Sequence, residues 1–168
     1  MGGNARCALR RDLLIAPVVF IATRALGRET AEDERSLPRI EDFRDLARRI
    51  ERDRIPLLIL FSTAGCPYCL EVRRNYLRPR LGGSPAVALI REIDIGSAQV
   101  AIDVNGKAVT DADLARRYGV SVVPVVLLVD AAGRPLAEPL IGVDRAGFYE
   151  SYLLARMETA TRALRAAR

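Results

Sequence analysis

Two cysteines three residues apart, Cys66 and Cys69, are the side chains of this sequence best suited to do chemistry. They enclose Pro67-Tyr68 and follow the apolar run Leu57-Leu58-Ile59-Leu60-Phe61 through Ser62-Thr63-Ala64-Gly65. The apolar run predicts a strand buried on both faces, and the small and polar residues after it predict a turn. Pro67 then falls at a first helical position, where its missing N–H costs nothing. Cys69 follows one turn on, so both sulfurs lie on one side of the helix. A thiol attacks a disulfide only as its thiolate, and the unpaired N–H groups and positive dipole end of a helix stabilise that anion. A cysteine placed this way titrates at about 3.5–7.5, against about 8.5 when free. The spacing points to thiol–disulfide exchange, with Cys66 as attacker and Cys69 as resolver.

Other uses of the pair fit less well. A closed zinc site needs four ligands; the chain has no His, and its third Cys, Cys7, lies far upstream. A C-x-x-C loop is too short for an inert disulfide to remove much unfolded-chain entropy. Soft thiolates suit Cu(I), but no Met cluster or third ligand accompanies them. No metal and no cofactor is called for. A non-enzymatic redox-sensing or Cu(I)-binding module stands as an alternative from another class.

The 168 residues suffice for one domain with its own core. Half of them are hydrophobic, which excludes disorder for the bulk of the chain. Of the net charge of +5, residues 1–27 carry +3, from four arginines and Asp12. The other arginines alternate with acids along predicted helices, the pattern of a solvated face. No basic stripe with interleaved aromatics is present, which argues against nucleic-acid binding.

The chain opens with a basic lead through Arg10-Arg11, then a mostly apolar stretch over 13–23. This predicts an export signal over 1–27, cleaved after Gly27 or after Ala25, in a periplasmic protein. Arg10-Arg11-Asp12-Leu13-Leu14 also resembles a twin-arginine signal. The alternatives are a buried first strand or an uncleaved anchor that holds the domain on the periplasmic side of the membrane through 13–23. A polar linker follows over 28–37, then a domain over 38–160 and a frayed Ala- and Arg-rich tail over 161–168.

Within the domain, Ile40, Phe43, Leu46, Ala47 and Ile50 predict an amphipathic helix over about 38–52. The cysteine helix is expected to stop near Arg78-Pro79. Val87 to Ile95 predicts a second strand, parallel to the first. Asn105-Gly106 predicts a small hairpin over 100–109. Thr110 and Asp113 form a capping-box-like start for a helix over 111–118 that ends at Gly119. Val125–Val129 predicts a third buried strand and Leu136–Ile141 an antiparallel edge strand containing Pro139. Asp144 is expected to cap a last helix with Phe148, Tyr152, Leu153 and Met157 facing inward. The fold class is α/β, a central mixed sheet flanked by helices, with core order βαβαββα preceded by one helix.

That order, with Cys66-Pro67-Tyr68-Cys69 after the first strand and Val123-Pro124 before the third, resembles the thioredoxin superfamily. It is most similar to the exported thioredoxin-like branch, including small thioredoxins encoded with bacterial sulfur-oxidation genes. The resemblance covers about 38–158. It implies a thioredoxin-like fold and a protein-disulfide reductase or isomerase that exchanges disulfides with protein substrates and is recharged by an upstream dithiol donor. It implies a cis Val123–Pro124 bond lying against the cysteine pair, and a substrate surface formed by Val123, Pro124, Pro67 and Tyr68. An extended substrate segment would pair with the Val123 backbone by strand addition.

The sequence departs from the superfamily pattern at two places. Gly65 stands where cytoplasmic thioredoxins have Trp. Leu60 stands where they carry the buried acid that takes the resolving cysteine's proton, which leaves water or Glu71 as acceptors here. Pro67-Tyr68 is also the pair typical of glutaredoxins, but Gly142-Val143 stands in place of their Gly-Gly glutathione site. Glutaredoxin-like reduction therefore ranks second.

Overall fold

A computed structural model describes residues 37–84 and 86–167. The expected signal or anchor and residues 28–36 of the expected linker lie outside the described residues. Six strands follow in chain order: β1 (Leu57–Ser62), β2 (Leu89–Asp94), β3 (Val100–Ile102), β4 (Ala108–Thr110), β5 (Val125–Val129) and β6 (Leu140–Ile141). The helices are α1 (Phe43–Asp53), α2 (Pro67–Glu71, continued by the turns Val72–Leu77 and Arg78–Arg80), α3 (Asp111–Arg117) and α4 (Tyr149–Ala166).

The main sheet has the order β2-β1-β5-β6, with β1 parallel to β2 and antiparallel to β5. β3 and β4 form a separate two-stranded hairpin. β1 has a paired strand on each side and is the most enclosed element: Leu57 through Phe61 are all 0% exposed. Each such side chain stabilises the fold by about 1.5–3 kcal/mol relative to exposure. The two-residue period of a strand splits this run between two cores. Leu57, Ile59 and Phe61 pack with Phe43, Leu46 and Ile50 of α1, with the hairpin and with Leu114 of α3. Leu58 and Leu60 pack with Val72 and Leu77 of the cysteine helix and with Tyr149, Leu153 and Met157 of α4. The mixed sheet flanked by helices is the architecture that the sequence predicts.

Several boundaries differ from expectation. The first helix begins at Phe43, not 38, because Leu37–Ile40 lies extended along the edge of β2, where the Glu92 N–H donates to the Pro38 carbonyl at 2.9 Å. Asp42 then caps α1, accepting from the Arg44 N–H at 2.8 Å. Leu37, assigned to the linker, is 2% exposed and belongs to the core. The return strand shrinks to Leu140–Ile141, at the sheet edge as Pro139 suggests. Asp144 caps a turn instead of the last helix, accepting from the N–H groups of Ala146 and Phe148. α4 starts only at Tyr149, beyond that turn; Leu153 and Met157 face the core as expected, together with Tyr149 and Ala160, while Phe148 and Tyr152 are half exposed. The expected frayed tail is helical through Ala166, and Leu164 is buried. Among the described residues no helix is long and apolar enough to cross a membrane.

Candidate functional site

The C-terminal end of β1 delivers the chain into the turn Thr63–Gly65. Gly65 has φ +73°, a left-handed conformation that L side chains rarely adopt. A side chain there would be strained in its backbone although the space around it is open. Cys66 is the N-cap of α2, with φ −80° and ψ 110°, and Pro67 occupies the first helical position. The Cys66 Sγ accepts a hydrogen bond from the Cys69 N–H at 3.1 Å, so the sulfur sits on the unpaired donors of the helix start. Cys66 and Cys69 are joined as a disulfide, with Cα atoms 5.3 Å apart. Cys66 is partly exposed, whereas Cys69 is 0% exposed. Burial thus separates the two sulfurs, although one helical turn keeps them together.

α2 does not stay a regular α-helix. Pro67–Glu71 is α-helical, Val72–Leu77 widens into π turns, and Arg78–Arg80 tightens into a 3₁₀ turn around Pro79. Buried Val72 and Leu77 bracket the widened part against the sheet.

Of the four residues assigned to the substrate surface, Tyr68, Val123 and Pro124 line one cleft together with Glu71, Tyr76 and the loop Gly142–Gly147. Pro67 is exposed at the start of α2, outside that lining. The Val123–Pro124 bond is cis, as the resemblance implies. The Pro124 carbonyl accepts from the Gly142 N–H at 2.8 Å, which ties this turn to the end of β6. Among the described residues, neither the N–H nor the C=O of Val123 has a backbone partner. Tyr68 is 45% exposed, and its hydroxyl accepts a hydrogen bond from Arg145 at 3.0 Å. Arg145 escaped the sequence reading because it lies 77 residues from Tyr68.

A polar cluster around Glu92 and Arg73 also escaped it. Glu92 of β2 is 7% exposed, and it is the register partner of Leu60, on the same face of the sheet. Its carboxylate accepts from Arg73 Nε at 3.0 and 3.1 Å, from Ser62 Oγ at 2.6 Å and from the Leu37 N–H at 3.2 Å. Arg73 Nη2 donates to it as well. The available signal was an acid in the middle of the strand Leu89–Asp94. Glu71, the acceptor suggested by sequence, is exposed on the cleft side.

Glu92 and Arg73 border a polar cavity of about 280 Å³ that reaches Ser62, Thr63 and Ala64 on one side and Asp94, Arg39 and Asp111 on the other. Asp111 is 1% exposed; Arg39 pairs with its Oδ2 at 2.9 Å, while its Oδ1 has no partner among the described residues. Burial raises the Asp111 carboxyl above the usual range, and Arg39 works against that rise.

Residues 43–146 match the family model described as a thioredoxin-like domain. Comparison with curated proteins returns no match. Among solved structures, a thioredoxin-fold protein from Helicobacter pylori is 16% identical with a TM-score of 0.41, covering 69% of this chain and 88% of its own. A mutant thioredoxin from Halobacterium salinarum NRC-1 is 22% identical with a TM-score of 0.45, covering 74% of this chain and 89% of its own. The C-terminal domain of DsbD from Neisseria meningitidis, in the oxidised form, is 18% identical with a TM-score of 0.43, covering 69% and 97%. The family match runs from α1 through β6 and takes in the cysteine turn, the hairpin and the cis Val123–Pro124 bond. This chain belongs to the thioredoxin-like domain family.

Proposed function

We propose that the protein is a thiol–disulfide oxidoreductase acting on protein disulfides, on the reducing or isomerising side. One observation carries the reading: Cys66 is partly exposed and its sulfur accepts from the Cys69 N–H at the start of α2, while Cys69 behind it is fully buried. The helix start favours a thiolate at Cys66. Cys66 attacks a substrate disulfide and forms a mixed disulfide, and Cys69 then displaces the substrate sulfur. The substrate disulfide gains two electrons, and the pair becomes the Cys66–Cys69 disulfide. An upstream dithiol donor reduces it again.

The cleft supports recognition of an extended segment. Val123, beside Pro124, has no backbone partner for its N–H or C=O among the described residues, the arrangement that strand addition uses. Tyr68 and Arg145, hydrogen-bonded to each other, line the same cleft. The basic and apolar start of the sequence supports export to the periplasm, with residues 13–23 as a membrane anchor if they are not removed.

The test is reduction of insulin disulfides with dithiothreitol as donor, together with trapping. Cys69→Ser should accumulate mixed disulfides between Cys66 and substrate proteins, released by dithiothreitol. Cys66→Ser should trap nothing and lose turnover. Turnover by Cys66→Ser, or adducts on Cys69 instead, would refute the assignment. An intact pair without turnover would favour the sensing or metal-carrying alternative.

A further inference from the structure

The charged side chains that line the cleft beside Pro124 are Glu71, Asp144 and Arg145. Asp144 is engaged by its own loop, since its two oxygens accept from the N–H groups of Ala146 and Phe148. Those bonds, with the Gly142 N–H on the Pro124 carbonyl, hold the loop Gly142–Gly147 at both ends. Arg145 stands on that held loop, and its Nη2 donates to the Tyr68 hydroxyl at 3.0 Å. A guanidinium has five N–H donors and no acceptor. Among the described residues Arg145 makes no ion pair, and Tyr68 is its one side-chain partner. The Tyr68 oxygen accepts in that bond, and its own proton has no acceptor among the described residues. Both side chains are exposed. The cleft, of about 470 Å³, thus presents two adjacent donors, one of them charged, and each has hydrogens left to give.

We propose that Tyr68 and Arg145 form a carboxylate-recognition site, so that protein disulfides flanked by acidic side chains are the favoured substrates. The inference rests on the exchange reading above and names its substrate class. One carboxylate can accept from the Tyr68 O–H and from an Arg145 N–H together, and hydrogen bonds to ionised groups are about twice as strong as neutral ones. The planar fork of a guanidinium also matches the two oxygens of a carboxylate. Tyr68 lies between the two cysteines in sequence and shares its cleft with Val123 and Pro124. A segment drawn along Val123 toward Cys66 therefore meets this pair close to its own cysteine. In an extended segment, the side chains two residues from that cysteine share its face, and they are the ones recognised. The Arg145–Tyr68 bond exists before any substrate arrives, so less side-chain freedom is lost on binding. Glu71, one helical turn beyond Tyr68 on α2, is the opposing charge of the lining and confines the site to the Tyr68–Arg145 end.

The experiment uses disulfide-linked dimers of one synthetic peptide with a single cysteine, carrying Glu, Gln or Lys two residues before and after it. For each peptide, kcat/KM with dithiothreitol as donor is divided by the rate with dithiothreitol alone. That division removes the effect of the flanking charge on the disulfide itself. The wild-type protein should favour the Glu peptide over the Gln peptide by about 5-fold, the upper value for an exposed ion pair, and disfavour the Lys peptide. High salt should weaken the preference, because it screens exposed charges. Arg145→Gln should abolish the preference, and Arg145→Glu should reverse it in favour of Lys. Tyr68→Phe keeps the ring and should lower the preference, while Glu71→Gln should raise it. Each preference is a ratio within one variant, so a variant that folds less fully changes both rates alike and still gives an answer. Equal rates for the Glu and Gln peptides in the wild-type protein would overturn the proposal. An unchanged ratio in Arg145→Gln would overturn it too, and would leave Arg145 as a support for the Tyr68 ring alone. A wild-type protein that turns over none of the peptides would refute the exchange reading itself.

Discussion

Arg73→Met isolates the clamp between the cysteine helix and the sheet. Methionine keeps an apolar stem in place of the arginine methylenes but carries no charge. The Arg73 and Glu92 side chains are 18% and 8% exposed, so the pair is closer to a buried ion pair than to a surface one. Removing one partner of a buried pair costs about 3–5 kcal/mol, because the other charge stays behind desolvated. Glu92 keeps Ser62 Oγ and the Leu37 N–H as donors, and Arg73 is partly wetted, so the lower end, about 3 kcal/mol, is expected. Against a total of about 5–15 kcal/mol this is a large loss. It corresponds to a fall in Tm of about 12 °C for a domain of this size. Urea unfolding of the oxidised protein at pH 7, with Arg73→Met, Glu92→Gln and the double variant, measures it directly. The cycle should give a coupling of about 2 kcal/mol. A loss under about 1 kcal/mol with additive variants would refute the reasoning and reduce the pair to the value of an exposed salt bridge.

Tyr149 is 3% exposed and its hydroxyl has no partner among the described residues, so Tyr149→Phe should raise stability by about 1–2 kcal/mol in urea unfolding while keeping the ring contact with Tyr76. Burial pushes the Tyr118 phenol up from 10.0 to about 12 and moves Tyr149 in the same direction. Both groups hold their protons more tightly in the folded state; their contribution is complete below pH 10 and is lost above it, for Tyr118 as pH rises toward 12. Thermal unfolding against pH should show this alkaline loss, and Tyr118→Phe should reduce it. Gly65→Ala meets no atom within 4 Å but must hold φ near +73°, so it should cost about 1–2 kcal/mol from backbone conformation alone, read by urea unfolding.

Local rules were enough for much of the molecule. The apolar run Leu57–Phe61, the turn residues after it and Pro67 between the cysteines read directly as strand, turn and helix start, because each signal acts within a few residues. Thr110 with Asp113 read as a capping box for the same reason, and both of its hydrogen bonds form. The cysteine pair and the order of the strands were legible on these grounds. The conformation of Val123–Pro124 came only from the resemblance, since nothing local selects a cis bond there.

Tertiary structure decided what depends on which strands become neighbours. The segment Leu37–Ile40 has helical spacing, but the open edge of β2 offered it hydrogen bonds, and it became extended. Phe148 and Tyr152 have the apolar character of a core face, yet the turn capped by Asp144 fixes where α4 starts and turns them outward. Leu60 by itself reads only as a core position. Only the parallel pairing of β1 with β2 put Glu92 beside Leu60 on one face, and only the packing of α2 over that face brought Arg73 to it. Those contacts span 32 residues from Leu60 to Glu92 and 19 from Arg73 to Glu92. No periodicity encodes them, because they arise from strand register and from the layer that closes over it.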